Sequence, residues 1–334
     1  MKNKLLVTGG LGFIGSHFIS NLKDADYEIV CIDNLSNSKL TVLDKLHQTL
    51  NKKIHFYPID ITQKLLLEEI FTKHNDFSSI VHFAGLKSVN ESIQLPEKYY
   101  LNNVMGTLNL LEFFKHSSAE SFIFSSSATV YGDSKKQPVE ESFPLTGTNP
   151  YAWSKIMCER VIQDTIAVCE NKKAFALRYF NPIGAHPQAI LGEDPNDQPN
   201  NLMPHILKSA NKESMLNIFG NDYPTKDGTA ERDYIHVMDL ASAHHFILEN
   251  SNLLENKFNI LNIGTGKPTS VMELINIFEK VNDTHVSHSF TTRRPGDVVT
   301  SYADSSLINC LGWFPQYGIE DMCRHAWMWK KSFK

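Results

Sequence analysis

The stretch Lys4-Leu5-Leu6-Val7-Thr8-Gly9-Gly10-Leu11-Gly12-Phe13-Ile14-Gly15 constrains the fold more than any other. A short apolar run ends in glycines spaced three and three, and Phe13 to Leu22 then carries apolar residues at helical spacing, so the chain opens β-turn-α. In such a turn Gly9 permits the sharp bend, Gly12 lets backbone N–H groups approach a pyrophosphate, and the helix beginning near Gly15 turns its N-terminal donors toward it. A glycine triplet alone can equally be only a tight turn. Asp33, at the end of the second apolar run, narrows the choice: a carboxylate there binds both ribose hydroxyls of an adenosine and repels a 2′-phosphate, which favours NAD over NADP. The competing reading of Asp33 is a solvated strand-end carboxylate, with Asn34, Asn37 and Ser38 as turn formers.

The β-then-α pattern repeats. Glu28 to Asp33, Ile54 to Ile59, Ser79 to Phe83, Ser121 to Ser125 and Ala174 to Tyr179 are strand-length, with helix-length segments around 38–50, 63–74, 97–116 and from Tyr151 between them. Alternation of this kind predicts an α/β fold, a Rossmann-type doubly wound parallel sheet, because parallel neighbours need crossover connections. From residue 181 turn chemistry dominates, as in the Pro- and Asn-rich segment 192–201 and in Gly220-Asn221-Asp222-Tyr223-Pro224. The expectation is therefore a dinucleotide domain over 1–180 and a smaller mixed α/β substrate domain over 181–334, with segments near 235–263, including Phe258 to Ile263, returning to the first.

Composition removes several function classes. The 37 acidic against 32 basic residues give a net charge of −5, and no long Lys/Arg run exists to draw the chain to nucleic acid or anionic lipid. Met1-Lys2-Asn3-Lys4 leads into a patterned strand rather than a signal h-region, and apolar runs are strand-sized, so the chain reads as cytoplasmic. The 5 cysteines form no CxxC pair and read as reduced thiols; the 14 histidines form no HxxxH or HExxH group, so no metal is assigned.

Tyr151-Ala152-Trp153-Ser154-Lys155 sets a phenol and an ammonium on one helical face, about 6 Å of rise apart. A free phenol is ionised in only about one molecule in a thousand at neutral pH, so a base role needs a neighbour that lowers its pKa, and Lys155, helped by a bound nicotinamide cation, is placed to do so. The bland alternative is a surface helix pair. Ahead of it, Phe122 to Gly132 reads as a strand arriving with hydroxyls at its C-terminal end, where open α/β sheets hold ligands.

These segments, with His82-Phe83-Ala84-Gly85-Leu86-Lys87, Arg178-Tyr179-Phe180-Asn181-Pro182, Phe219 to Thr225 and Arg232-Asp233-Tyr234-Ile235-His236-Val237, resemble the UDP-glucose 4-epimerase family of extended short-chain dehydrogenases/reductases from end to end. The resemblance implies reversible inversion at C4 of UDP-glucose and UDP-galactose through a 4-keto intermediate, using tightly bound NAD. It implies Ser127, Tyr151 and Lys155 as the catalytic set. It gives the cofactor Phe13, Ile14, Asp33, Asn37, Ser38, Asp60, Ile61, Phe83, Ala84, Lys87, Asn102 and Tyr179, beside the glycines. Asn181, Asn201, Leu202, Arg232, Arg294 and Asp297, with Lys87, would hold the UDP-hexose. Guanidinium forks match phosphate oxygens, although both arginines could instead pair with nearby acids. Homodimers are common in the family, and helices near 97–116 and 151–170 would supply the interface.

Two departures matter. Ala152 and Trp153 stand where the family commonly has a small and then a polar residue, which predicts altered packing with the catalytic pair kept. Ser301 occupies a position where some members carry a tyrosine that excludes a 2-N-acetyl group, so the resemblance implies that UDP-N-acetylglucosamine and UDP-N-acetylgalactosamine are also substrates. Epimerisation of the N-acetylated sugars as the main activity, or another NAD-dependent sugar-nucleotide epimerase, is the alternative. Related dehydratases need Asp-Glu after the strand-five hydroxyl, where this chain has Ala128-Thr129; a non-catalytic NAD-binding protein would be expected to lose Tyr151 or Lys155.

Overall fold

Near-continuous apolar strands such as Leu5-Leu6-Val7 and Ile29-Val30-Cys31-Ile32 suit a sheet covered by helices on both faces, and in the computed structural model these residues are buried. The structure describes residues 3–50, 52, 54–196, 201–294 and 297–333. The strands are β1 (Asn3–Thr8), β2 (Tyr27–Ile32), β3 (Ile54–Tyr57), β4 (Phe77–His82), β5 (Ser121–Ser127), β6 (Lys173–Tyr179), β7 (Asn181–Ile183), β8 (Leu216–Phe219), β9 (Glu231–His236), β10 (Phe258–Ile263), β11 (Pro268–Ser270), β12 (His288–Thr291) and β13 (Thr300–Ser301). The α-helices are α1 (Phe13–Asn21), α2 (Thr41–Leu50), α3 (Lys64–Lys73), α4 (Val89–Gln94), α5 (Pro96–Tyr99), α6 (Gly106–His116), α7 (Pro150–Ala167), α8 (Leu202–Ala210), α9 (Val237–Glu249), α10 (Val271–Asn282), α11 (Ser306–Cys310) and α12 (Ile319–Ser332). A π-helical turn, Tyr100–Met105, joins α5 to α6.

The chain packs as two units. Residues through Gly132, with Pro144–Arg178 and Ala241–Leu261, form the first; Asp133–Phe143, Tyr179–Leu240 and the residues from Asn262 onward form the second. The division is thus not one cut at residue 180. Segment 133–143 joins the later unit because Val139 hydrogen-bonds residues near β13: its N–H donates to the Tyr302 carbonyl at 2.9 Å, and its carbonyl accepts from the Asp304 N–H at 2.8 Å.

The first unit is a seven-stranded sheet in the order β10-β6-β5-β4-β1-β2-β3. Its centre is parallel, with β1 paired to both β2 and β4, β2 to β3, and β4 to β5. Leu6, Val30, Ile80, Phe122 and Phe124 of the sheet pack with Leu110 and Phe114 of α6 and Ile162 of α7. Each fully buried Phe or Leu contributes about 1.5–3 kcal/mol through lost apolar exposure.

The second unit has its own core, in which Tyr234, Leu274, Phe278, Met322 and Trp329 meet. β9 is its spine, flanked by β11 and β13, with β7 also pairing to it. β8 and β12 make a separate parallel pair. The two-residue β13 sets Ser301 in register with Arg232 and Thr300 with Glu231. Asp233, fully buried, fastens this region: its carboxylate accepts from the N–H and hydroxyl of Thr265, from the Gly266 N–H and from the Ala303 N–H, at 2.6–3.1 Å.

Candidate active site

The glycine loop of the first unit is shaped by backbone contacts. Gly9 sits at φ +66°, and a Cβ there would lie 2.6 Å from the Ala84 nitrogen. At Gly15 a Cβ would lie 2.3 Å from the Gly9 carbonyl oxygen. Gly12 differs, since a Cβ there would meet only the Gly9 oxygen, at 3.3 Å. Gly12 also caps α1 with no side-chain hydrogen bond, so the first-turn N–H groups of Phe13 and Ile14 open beside the one glycine with free space around it. That is the arrangement a pyrophosphate needs.

Asp33 is buried rather than solvated. Its Oδ2 accepts from the Leu11 N–H at 3.0 Å, and its Oδ1 accepts from the Leu35 N–H at 2.9 Å and the Ser38 hydroxyl at 2.7 Å. The carboxylate therefore ties the end of β2 to the glycine loop and keeps acceptor capacity on Oδ2 for a sugar hydroxyl. Asn37 lies in the same turn, one residue before Ser38. Asp60 follows β3; burial pushes its carboxyl up, but donors from Thr62 and Asn34 outweigh this and hold it below the usual range. Ile61 is buried and fills the space above Gly106, where a Cβ would come within 2.4 Å of it. Ala84 and Phe83 follow β4, with both N–H groups donating to the Thr8 carbonyl, and Lys87 is exposed nearby in sequence. Asn102 lies in the π-helical turn.

Ser127, Tyr151 and Lys155 come together within this unit. Asn149 caps α7 by accepting from the Ala152 N–H at 2.9 Å, and Pro150 occupies the first turn, so the helix begins with Tyr151 at its mouth. Ser127 ends β5 beside the Tyr151 phenol, and its hydroxyl accepts from the Thr129 N–H at 3.3 Å and the Thr129 hydroxyl at 2.9 Å. Lys155 is 4% exposed, and its Nζ donates to the Ser125 carbonyl at 2.7 Å. Burial pushes that ammonium down to about 8.

The expected depression of the Tyr151 pKa by Lys155 is not what the protein chain alone produces. Burial raises the phenol, Ser127 opposes that rise, and the lysine Nζ stands 6.0 Å from the ring centroid with a proton committed to a backbone carbonyl. Ala152 is fully buried, while Trp153 is part exposed and lies over Gly147, where a Cβ would meet its ring at 3.1 Å.

Several supporting groups were not singled out from sequence. Asn103 donates to the Leu86 carbonyl and the Ser154 hydroxyl and accepts from the Leu86 N–H, tying the π-helical turn to α7. His82 bridges the hydroxyls of Thr8 and Thr107 at 2.7 and 3.0 Å, and burial pushes its imidazole down to about 3, which keeps it neutral. Glu159, one turn beyond Lys155, forms a fully buried ion pair with Arg178 of β6. The spacing Tyr-xxx-Lys-xxx-Glu is a signal that could have exposed it.

The second unit holds the remaining candidates. Tyr179 is buried at the end of β6, and Asn181 of β7 is exposed and in register with Tyr234. Asn201 precedes α8 and donates to Glu193 Oε1 at 2.6 Å, and Leu202 is the first residue of that helix. Arg232 lies 3.5 Å from Asp297, while the Arg294 guanidinium covers the Phe219 ring at 3.8 Å. One arginine thus has an acidic neighbour and the other a flat aromatic face, which leaves the edge of its fork for anions. Ser301 is half-buried beside Arg232.

Residues 5–264 match the NAD dependent epimerase/dehydratase family. The chain is 45% identical over 330 residues to a UDP-glucose 4-epimerase of Bacillus subtilis, an alignment covering 98% of this chain and 97% of that one. Its fold is similar to a UDP-glucose 4-epimerase from Bifidobacterium longum solved with NAD+ and UDP, with a TM-score of 0.94, 39% identity and 99% of both chains covered. It is also similar to the UDP-Glc/GlcNAc 4-epimerase of Campylobacter jejuni, with a TM-score of 0.85, 36% identity and 99% of both chains covered.

Proposed function

The chain belongs to the NAD dependent epimerase/dehydratase family, and from that premise we propose that it interconverts UDP-glucose and UDP-galactose by inverting C4. The observation that carries this reading is the Ser127–Tyr151–Lys155 group, its tyrosine and lysine buried, in the same unit as the glycine loop and Asp33. When bound, NAD supplies reversible acceptance of the C4 hydrogen with its bonding electrons. Gly9, Gly12 and Gly15, with Phe13 and Ile14, receive its pyrophosphate. Asp33, Asn37 and Ser38 receive the adenosine ribose; Asp60, Ile61, Phe83, Ala84, Lys87, Asn102 and Tyr179 complete the cofactor set.

Tyr151 takes the proton of the sugar 4-hydroxyl and later returns it, while Ser127 hydrogen-bonds the same oxygen. Lys155, held at Ser125, binds the nicotinamide ribose and adds positive charge to the site. The 4-keto sugar turns over within the pocket before the hydrogen is restored, so there is no net oxidation. Arg232 and Arg294 take the diphosphate, with Asn181, Asn201, Leu202, Asp297 and Lys87 around the nucleotide sugar. Elimination of water finds no acid and base here, since Ala128 and Thr129 follow Ser127 in a 3-10 turn.

A second activity, on UDP-N-acetylglucosamine and UDP-N-acetylgalactosamine, is favoured by Ser301: a small side chain lies in register with the diphosphate-binding Arg232. The protein works as a cytoplasmic homodimer. Exposed Leu101 and Met105 beside α6, with Trp153 and Met157 on α7, support that pairing. Among the described residues no helix is long and apolar enough to cross a membrane.

The test is NMR analysis of products after incubating the protein, without added NAD, with UDP-galactose and separately with UDP-N-acetylgalactosamine. Conversion of both is expected. Conversion of UDP-galactose alone would remove the Ser301 reading, and conversion of neither, with or without added NAD, would remove the epimerase reading.

A further inference from the structure

Three consecutive residues of β5 each meet a different residue of α7, two of them through hydrogen bonds. The Ser125 carbonyl accepts from Lys155 Nζ at 2.7 Å, the Ser126 hydroxyl donates to Glu159 Oε1 at 2.5 Å, and Ser127, whose hydroxyl accepts from the N–H and hydroxyl of Thr129, lies beside the Tyr151 phenol and favours its ionisation. Two of these attachments involve side chains assigned to the reaction. The middle one does not, yet it is the most elaborately built. Glu159 is 3% exposed, and Arg178 of the neighbouring strand β6 is 1% exposed. Arg178 donates through Nε to Glu159 Oε1 at 2.9 Å and through Nη2 to Oε2 at 2.5 Å, and its Nη1 donates to the Tyr131 hydroxyl at 2.9 Å.

A buried ion pair is poor evidence for stability, because desolvating both charges offsets most of their attraction. Its strength is geometric, since a bidentate carboxylate–guanidinium pair admits one orientation. Glu159 is thus fixed from β6, and through Ser126 it fixes the end of β5. Lys155 and Glu159 are four residues apart and Tyr151 four earlier, so one face of α7 is set against the Ser125–Ser127 end of β5.

We propose that Glu159 is a positioning residue for the C4 epimerisation: oriented by Arg178, it holds the Ser126 hydroxyl and so sets the register of α7 on β5 that brings the Ser127 hydroxyl to the Tyr151 phenol. This rests on the role given above to Tyr151 as the proton carrier. Misplacement of reacting groups by about 1 Å can lower a rate about a hundredfold, and loss of the Ser126 attachment alone is expected to cost about tenfold.

The experiment compares Ser126→Ala, Ser126→Thr and Glu159→Gln with the unaltered protein as purified. Glu159→Gln leaves Arg178 without its full partner and is open to misfolding; Ser126→Ala keeps the ion pair whole and decides the matter by itself. In Ser126→Ala the expected result is a fall in kcat of about tenfold with KM for UDP-galactose within twofold and the melting temperature nearly unchanged, and Ser126→Thr restores the rate.

A second readout does not depend on turnover. The tyrosinate absorbance of each variant, less that of the same variant carrying Tyr151→Phe, reports the titration of that phenol, whose charged or titratable surroundings are Lys155 and Cys158 on its own helix and Tyr99 facing it. Withdrawal of Ser127 from the phenol is expected to move the Tyr151 midpoint upward in Ser126→Ala. An unmoved midpoint, or a kcat within threefold of the unaltered protein, would overturn the proposal and leave the ion pair as packing alone. Were the unaltered protein inactive on every UDP-hexose, the function would fall, while the Tyr151 midpoint would still decide whether Ser126 sets the register.

Discussion

Replacing glycines of the first loop one at a time separates those that shape the protein from the one that admits the cofactor. In Gly9→Ala the new Cβ stands 2.6 Å from the Ala84 nitrogen and 2.8 Å from its Cα, both backbone, on a residue at φ +66°. A left-handed conformation costs an L-residue about 1–2 kcal/mol, and forcing well-packed neighbours apart costs a further 1–3 or so, about 2–5 kcal/mol together. For a chain of this size that is a fall of roughly 3–7 °C in the unfolding midpoint. In Gly12→Ala the backbone is extended, at φ −69° and ψ 174°, and the Cβ meets only one oxygen at 3.3 Å. Its stability should change by less than about 0.5 kcal/mol, the ordinary range for a substitution away from any strain. The methyl would nevertheless fill the approach to the first-turn N–H groups of α1, and NAD affinity should fall at least about tenfold, which is about 1.4 kcal/mol. Melting curves of NAD-free protein, with calorimetric titration of NAD, give both quantities for both variants. If Gly12→Ala melts as low as Gly9→Ala, or binds NAD undiminished, Gly12 is only a turn former and the pyrophosphate has been put in the wrong place.

Other expectations follow from single groups. Tyr151→Phe should abolish conversion of UDP-galactose while NAD stays bound, read by product NMR and by cofactor released on denaturation; retained turnover would refute the proton-carrier role. Ser301→Tyr should remove conversion of UDP-N-acetylgalactosamine and spare UDP-galactose, seen as a change in the ratio of the two rates. Burial holds Lys155 near 8, below its ordinary 10.5. Between those pH values the unfolded chain binds the extra proton, so unfolding free energy should rise with pH there by at most about 1.4 kcal/mol per unit, and Lys155→Met should flatten the rise in urea titrations of NAD-free protein. Leu101→Asp with Trp153→Asp should shift the sedimenting species from dimer to monomer; a monomeric unaltered protein would refute the pairing.

Elements that make their pattern locally were legible in the sequence. The Leu5-Leu6-Val7 strand, the glycine turn and the Asn149-Pro150 start of α7 each carry their cause within a few residues, and Phe258 to Ile263 joins the first sheet beside β6, as its strand pattern suggested. The second unit's sheet was not legible, because β13 has two residues and β7 three, too few to show any period. Their pairing with β9 depends on partners about fifty residues away or more. The site shows the same split. Tyr151 and Lys155 announce themselves by spacing, and the same spacing extends to Glu159, whereas its partners Ser126 and Arg178, like Asn103, matter through contacts across 17 to 55 positions that no local pattern encodes. That the chain alone leaves the phenol raised has a related reason: spacing places two groups on one face but does not tell which carbonyl claims the ammonium.

The place of β10 at the edge of the first sheet bears on how the chain is made. β6 is complete at Tyr179, but the strand that covers its outer edge begins at Phe258, about eighty residues later. At about 5–20 residues per second of synthesis, that edge waits roughly 4–16 s with unpaired backbone donors and acceptors, long enough to recruit a strand from another nascent chain. Truncations ending between these two strands should therefore aggregate even though every residue of the Ser127–Tyr151–Lys155 group is already present. The half of the molecule that carries the chemistry is finished only when about half of the other has been made.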